Sequence, residues 1–246
     1  MALSSPTPAS HPSAWPVPAP RPTILPPTPS ILARARSSAL KGVALRLLPK
    51  AVLFANGPRD PSDRRIALTF DDGPDTMSTR YLEVLARLGV RATFFLVGEH
   101  ASRHPGIVRE YVRQGHDVGA HGWSHEVFAG MPRDVLADEL ARTAAALPPP
   151  RGRPLVRPPR GRLSLRSLYR LASAGYTTVL WSVDSDDCRT MDARTVERRL
   201  APERLTPGDV VLLHEQQPWT LEALPAIVST LRGAGWELVT VRELME

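Results

Sequence analysis

A single cysteine, Cys188, in 246 residues excludes an intramolecular disulfide and any multi-cysteine zinc site. Lysine is nearly missing as well: Lys41 and Lys50 stand against 29 arginines, a bias that reflects coding preference more simply than a designed phosphate-binding surface. No stretch reaches the roughly 18 apolar residues of a membrane span. The opening MALSSPTPASHPSAW has neither the charged n-region nor the apolar h-region of a secretory leader, so the chain as written is expected to be cytoplasmic. Acidic charge is scarce in one place: residues 1–65 hold nine Arg or Lys against two Asp, whereas residues 66–246 hold 22 basic and 23 acidic residues. The net charge of +6 therefore belongs to the N-terminal extension, and no nucleic-acid partner is expected for the folded part.

What remains is ordinary globular composition, 42% apolar and 23% charged, enough for one sizeable domain plus an extension. Ten of the 26 prolines fall in residues 1–30, which are expected to be a disordered tail because they cannot bury enough surface to offset their ordering entropy. Residues 31–63 are expected to form a basic helix, Ile31 to Leu48, followed by a turn-rich linker at Asn56 to Asp63. Residues 31–54 suit peripheral contact with an anionic surface, or packing on the domain, and not stable membrane insertion. Residues 64–246 alternate short apolar runs with amphipathic segments, the pattern of parallel strands joined by helices. Strands are predicted at Ile66–Phe70, Ala92–Val97, Asp117–Ala120, Pro154–Arg157, Thr177–Val183, Asp209–Leu213 and Trp236–Val241. Seven such units predict an α/β fold, a distorted (β/α) barrel of about seven parallel strands, with a doubly wound open sheet as the alternative.

Chemistry concentrates where the predicted strands end. IALTFDDGPD, Ile66 to Asp75, closes an apolar run with Asp71, Asp72 and a Gly-Pro turn, and two adjacent acids share a site only where a strand is turning. GAHGWSHE brings His121 and His125 four residues apart behind another strand. Two imidazoles and a carboxylate leave a coordination position open for water, the layout of a catalytic metal site. His100 and His104 have the same spacing but sit in a charged helical stretch without a carboxylate motif, so they are not expected to bind metal. His116 and His11 are expected to be solvated. RPPRG, WSVDSDDC and VVLLHE place Arg157, Asp187 and His214 at further strand ends.

This ordered set closely resembles the polysaccharide deacetylase family, the NodB-like metal-dependent carbohydrate esterases, over about residues 64–246. TFDDGP resembles the family's first motif, His121 to His125 its H-[ST]-x-x-H motif, Arg157 to Pro159 its Arg-x-Pro motif, Asp187 with Cys188 its Asp-Trp motif, and Leu212 to His214 its Leu-x-His motif. The resemblance implies a seven-stranded distorted barrel, a hydrolase that removes N-acetyl or O-acetyl groups from a glycan such as chitooligosaccharide or peptidoglycan, and one divalent metal ion. Zinc is the first expectation, and cobalt, nickel or iron suit the same ligands. It makes Asp71 the base, Asp72, His121 and His125 the metal ligands, and Arg157 the partner that orients Asp71 and keeps it ionised. It makes His214 the acid, with Asp187 hydrogen-bonded to it. The backbone N–H of Arg160 would stabilise the oxyanion and Leu212 would wall the acetyl pocket.

Three positions depart from the family pattern. Gly122 stands where Ser or Thr braces the second histidine, which implies a looser loop or weaker metal binding. Arg160 replaces a tyrosine and adds positive charge beside the sugar subsite, opening the site to anionic or larger glycans. Cys188 replaces a tryptophan and removes an apolar wall. Trp123, Trp181 and Trp219 are rim candidates for sugar stacking, with buried packing at least as reasonable for Trp181. The alternatives are a deacylase of a lipid-linked or small-molecule amide, and a catalytically silent glycan-binding module.

Overall fold

The computed structural model describes residues 48–246. The tail expected at 1–30 and nearly all of the helix expected at Ile31–Leu48 lie outside the described residues. No helix among the described residues is long and apolar enough to cross a membrane.

One curled sheet organises the fold. Its strands are β1 (Leu53–Phe54), β2 (Arg65–Asp71), β3 (Thr93–Leu96), β4 (Asp117–Ala120), β5 (Leu155–Val156), β6 (Thr177–Val179), β7 (Val183–Asp184), β8 (Val210–His214) and β9 (Glu237–Val239). The order is β1-β6-β5-β4-β3-β2-β8-β7, with β9 pairing the start of β2, and every strand pair is parallel. This is the distorted, incompletely closed barrel that the sequence predicts. Two strands differ from expectation. The short β1 lies in the segment read as helix and linker, and the run Thr177–Val183 is divided into β6 and β7. At the division the carbonyls of Val179 and Leu180 accept from the Arg157 guanidinium.

The helices are α1 (Ser78–Leu88), α2 (Gly98–Arg103), α3 (Pro105–Arg113), α4 (Arg133–Ala146), α5 (Leu165–Ser173), α6 (Asp187–Thr190), α7 (Ala193–Arg199), α8 (Pro218–Gly233) and α9 (Val241–Met245). Between β3 and β4 the chain forms two successive helices, α2 and α3, not one. Pro105 forces the preceding residue out of the helical region, and His104 accordingly sits at φ −126°, ψ 51°. Gly89 ends α1 in the left-handed conformation, a common helix stop.

Alternation along the strands decides which side chains reach the barrel interior. On β2, Ile66, Leu68 and Phe70 pack outward in the large core under the helices, while Ala67 joins the inner cluster with Phe95, Val179 and Val210. Thr69 and Asp71 follow Ala67 inward. On β8, Val211 and Leu213 belong to the outer core and Val210 to the inner one, so Leu212 and His214 face inward too. The register pairs Thr69 with Leu212 and Asp71 with His214. Two strands of period two therefore deliver Asp71 and His214 side by side to the same end of the barrel.

Candidate active site

Asp71 is the last residue of β2 and is buried. Its Oδ1 accepts a 2.7 Å hydrogen bond from Arg157 Nη1, and Arg157 is itself wholly buried. The same nitrogen donates to Thr69 Oγ1 at 2.8 Å, Nη2 donates to Leu180 O at 3.2 Å, and the guanidinium lies 4.1 Å from the Phe95 ring centroid. Thr69 Oγ1 in turn donates a hydrogen bond to Val211 O at 2.6 Å. Arg157 is thus fixed from four directions, and only Oδ2 of Asp71 is left facing the cavity, 3.6 Å from His121 Nε2.

Past Asp71 the chain turns, with Asp72 at φ 75°. Its carbonyl accepts from Gln216 Nε2 at 3.0 Å and contacts His100 Nδ1 at 3.0 Å. Its Oδ1 lies 3.5 Å from His121 Nε2 and 3.2 Å from His125 Nε2, and is buried with no hydrogen-bond partner. Ligand atoms around a tetrahedral ion with bonds of 2.0–2.2 Å sit roughly 3.3–3.6 Å apart, so these separations suit a zinc-like ion closely. His121 Nδ1 donates to Arg157 O at 2.8 Å, which leaves the Nε2 lone pair for a ligand. Burial, ahead of the opposing pull of Asp72, holds the His125 pKa below its ordinary value, in the neutral form that binds metal. Asp72, His121 and His125 therefore form a site able to hold a divalent cation. Among the described residues Asp187, Cys188 and His214 also cluster, but both oxygens of Asp187 are already hydrogen-bonded.

The loop carrying the histidines is braced by a residue that sequence reasoning missed. Glu139 on α4 accepts from the backbone N–H of Trp123 at 2.7 Å, from that of Ser124 at 3.1 Å and from Ser124 Oγ at 2.7 Å. Gly122 adopts φ 81°, and a Cβ there would approach Phe128 to 3.2 Å and Glu139 Oε2 to 3.3 Å. The glycine lets the loop close onto Glu139, so the rigidity expected to be lost at Gly122 is supplied from α4. Asp72, His125 and Arg160 are three of the five non-glycine residues with positive φ among the described residues, a concentration of backbone strain at one site.

On the opposite side, His214 Nδ1 meets Asp187 Oδ1 at 2.6 Å, and the His214 N–H donates to Oδ2 at 2.7 Å. Thr220 Oγ1 also donates to Oδ2, and Trp219 Nε1 to the Asp187 carbonyl. Burial pulls the His214 pKa down, but the hydrogen bond and charge of Asp187 outweigh it and lift the value to about 9. His214 is therefore an imidazolium at neutral pH.

All nine residues singled out in the sequence are accounted for: Asp71, Asp72, His121, His125, Arg157, Asp187 and His214 converge, Leu212 lies buried on the inner face beside Thr69, and Arg160 projects into solvent after the Arg157 turn. Among the described residues His100 and His104 belong to no cluster of three possible metal ligands, and His100 Nδ1 contacts the Asp72 carbonyl. His116 is not solvated: it is buried, accepts from the Ala92 N–H at 3.1 Å, and burial lowers its pKa to about 4. Trp219 acts as a brace on Asp187, and Trp123 packs under Arg142. The Cys188 thiol has its pKa raised by burial and by Asp187, which disfavours the reactive thiolate.

A sequence profile for polysaccharide deacetylase matches residues 58–179. The chain is 31% identical over 202 residues to the peptidoglycan-N-acetylglucosamine deacetylase PgdA of Listeria monocytogenes, a match covering 81% of this chain and 42% of that protein. The chain thus spans under half the length of that relative. It is also 31% identical over 191 residues to a peptidoglycan-N-acetylglucosamine deacetylase of Bacillus cereus, covering 75% of this chain and 89% of that one. The crystal structure of the Bc1960 peptidoglycan N-acetylglucosamine deacetylase superposes with a TM-score of 0.74 at 30% identity, covering 80% of this chain and 94% of that chain.

Proposed function

This chain belongs to the polysaccharide deacetylase family, and from that membership we propose that it hydrolyses N-acetyl groups on a glycan of the peptidoglycan or chitooligosaccharide type. The observation that carries the reading is the buried, unpartnered Oδ1 of Asp72 facing the Nε2 atoms of His121 and His125. We assign one divalent ion to these three residues, with Zn²⁺ first because one carboxylate and two imidazoles suit it. When bound, the ion supplies Lewis acidity to the acetyl carbonyl and a lowered pKa to water.

The chain's own residues supply the proton transfers. Arg157 holds Oδ1 of Asp71, so Oδ2 is the oxygen that takes the proton from the attacking water. The water oxygen bonds to the acetyl carbon, and the N–H of Arg160, in its left-handed turn, donates to the oxygen that becomes negative. As the C–N bond breaks, the departing amine takes its proton from His214, whose Nδ1 side is committed to Asp187 and whose Nε2 remains to donate. Leu212, buried beside Thr69 on the inner face, walls the acetyl methyl. The catalytic domain is residues 64–246, completed at the sheet edge by β1.

Acetate release by the metal-loaded protein from N-acetylglucosamine oligomers and peptidoglycan fragments tests the reading, with Asp71→Asn as the control. Release that disappears in Asp71→Asn while metal stays bound is the expected result. Undiminished release from that variant would remove Asp71 as base, and no release from any of these glycans would remove the reaction.

A further inference from the structure

Positive charge in the folded part is concentrated, not spread. Residues 66–246 are nearly neutral, yet between Glu139 and Asp184 the chain carries eight arginines and no carboxylate side chain. Arg157 is neutralised by Asp71 and Arg142 by Asp138. Arg160, Arg162 and Arg166 are exposed and, among the described residues, pair with no carboxylate. Arg160 lies in the turn Pro159–Gly161 directly after Arg157, Arg162 follows it, and Ser164 caps α5, which carries Arg166 and Arg170 one turn apart.

The track ends in a groove of about 550 Å³ between α4 and α5, lined by Arg133, Leu136, Arg166, Tyr169 and Arg170. Arg170 is anchored there by donating to Met131 O at 2.8 Å, whereas Arg133 on the facing helix has no ion-pair partner among the described residues. Tyr169 exposes 73% of its surface and Leu165, one turn before it, 65%; they are two of the four large apolar residues exposed among those described. An exposed aromatic face beside unpaired guanidinium groups is a combination that suits a sugar bearing carboxylates. The ring packs on the C–H face of the sugar, and the planar guanidinium takes a carboxylate through two parallel hydrogen bonds.

We infer that the arginine track from Arg160 to Arg166 and the Tyr169 groove form an exosite for a carboxylate-bearing glycan chain, one sugar of which occupies the metal site. The inference rests on the deacetylase reading and narrows its substrate to anionic, extended glycans. Neutral oligomers short enough to fill only the metal site gain nothing from the track. Rim charges of this kind act on encounter and on salt dependence, so their effect appears in KM and not in kcat.

The test compares three substrates: peptidoglycan strands with free stem carboxylates, the same strands with those carboxylates amidated, and neutral N-acetylated chitotetraose. The variants are Arg162→Glu with Arg166→Glu, and Tyr169→Ala. The charge reversal is expected to raise KM on the carboxylated strands roughly ten-fold, with kcat unchanged and with the amidated and neutral substrates within about two-fold of wild type. Raising ionic strength to about 0.5 M should erase the wild-type preference, because such exposed charges are then screened within a few ångströms. An unchanged KM on carboxylated strands, or an equal loss on all three substrates, overturns the exosite. Binding of a labelled carboxylated strand to the Asp71→Asn protein, with and without the charge reversal, reads the exosite independently of turnover. Absence of acetate release by wild type defeats the deacetylase reading alone, while equal strand binding by the two proteins defeats the exosite.

Discussion

Arg157 Nη1 stands 2.7 Å from Asp71 Oδ1, with both side chains buried and with Thr69 Oγ1 on the same nitrogen at 2.8 Å. The pair does more than neutralise charge. It dictates which carboxylate oxygen is free to react, and through the Arg157 carbonyl it also fixes the tautomer of His121. Removing the guanidinium strands a buried carboxylate, so Arg157→Ala should destabilise the fold by about 3–5 kcal/mol and abolish turnover. Arg157→Lys should fold better yet stay nearly inactive, because one ammonium cannot serve acceptors arrayed around a planar fork. Denaturant unfolding alongside acetate release measures both, and a fully active lysine variant would sink the role.

The proposed metal ligands are separable from the proposed base. Asp72→Asn and His125→Ala should each weaken Zn²⁺ binding severely while leaving the secondary structure intact, since Asp72 Oδ1 makes no hydrogen bond that the fold needs. Asp71→Asn should keep the ion. Titration of each purified variant with Zn²⁺, read by calorimetry, distinguishes the two groups, and loss of metal from Asp71→Asn would place Asp71 among the ligands.

Glu139 should matter to the metal although it touches none. Its carboxylate gathers three donors from Trp123 and Ser124, between the two histidines. Glu139→Gln keeps the size but loses the charge and one acceptor oxygen, so metal affinity should fall roughly 10-fold to 100-fold. The same substitution should leave the Asp187–His214 side unaffected, which the pH profile of the metal-saturated variant would verify.

Much of this site was legible in the sequence because polar islands close the strands in the order that the family resemblance carries, and it was the resemblance that gave their partners. The structure adds the reason they meet: alternation along β2 and β8 sets Asp71 and His214 on one face in paired register. The bracing residues were hidden for a physical reason: Glu139 lies on a helix distant in sequence, where an acid reads as solvated, and only the curl of the chain at Gly122 brings two N–H groups to it. His116 was misread because nothing local tells that the chain returns to present the Ala92 N–H to its ring. His100 and His104 share the spacing of His121 and His125, yet Pro105 ends their helix at His104, and the His100 ring is turned onto the Asp72 carbonyl. Likewise β1, two residues long, carries too little periodicity to be seen.

Glu215 is a buried acid with no role in the proposed reaction. Tyr111 donates to its Oε1, Oε2 has no partner, and a Cβ at Gly73 would collide with the carboxylate. Burial raises its pKa to about 7. Between the unfolded value near 4.5 and about 7 the native state holds the extra proton, so stability falls as pH rises through this window and stays low above it. The full effect is about 3 kcal/mol in order of magnitude. Glu215→Gln preserves the Tyr111 hydrogen bond and cannot ionise, and should therefore gain stability over wild type at pH 8 but not at pH 5. Parallel urea curves at the two pH values check this, and an identical difference at both would refute it.

The last prediction concerns the proton that His214 is proposed to deliver. An acid must be protonated to act, so activity is present below its pKa and lost as pH rises through it, which puts the basic limb of the profile near 9 in the wild type. Burial alone would lower that pKa, and the Asp187 hydrogen bond and charge reverse the direction. Asp187→Asn keeps a hydrogen-bond acceptor but removes the charge, so burial prevails and the limb should move down by at least about one pH unit. At pH 6 the variant should retain much of its kcat, and at pH 8.5 little, with metal content unchanged because Asp187 lies apart from the ligands. A kcat profile of the metal-saturated variant decides the matter. A basic limb that stays near its wild-type position would mean that another group titrates there and that His214 is not the acid.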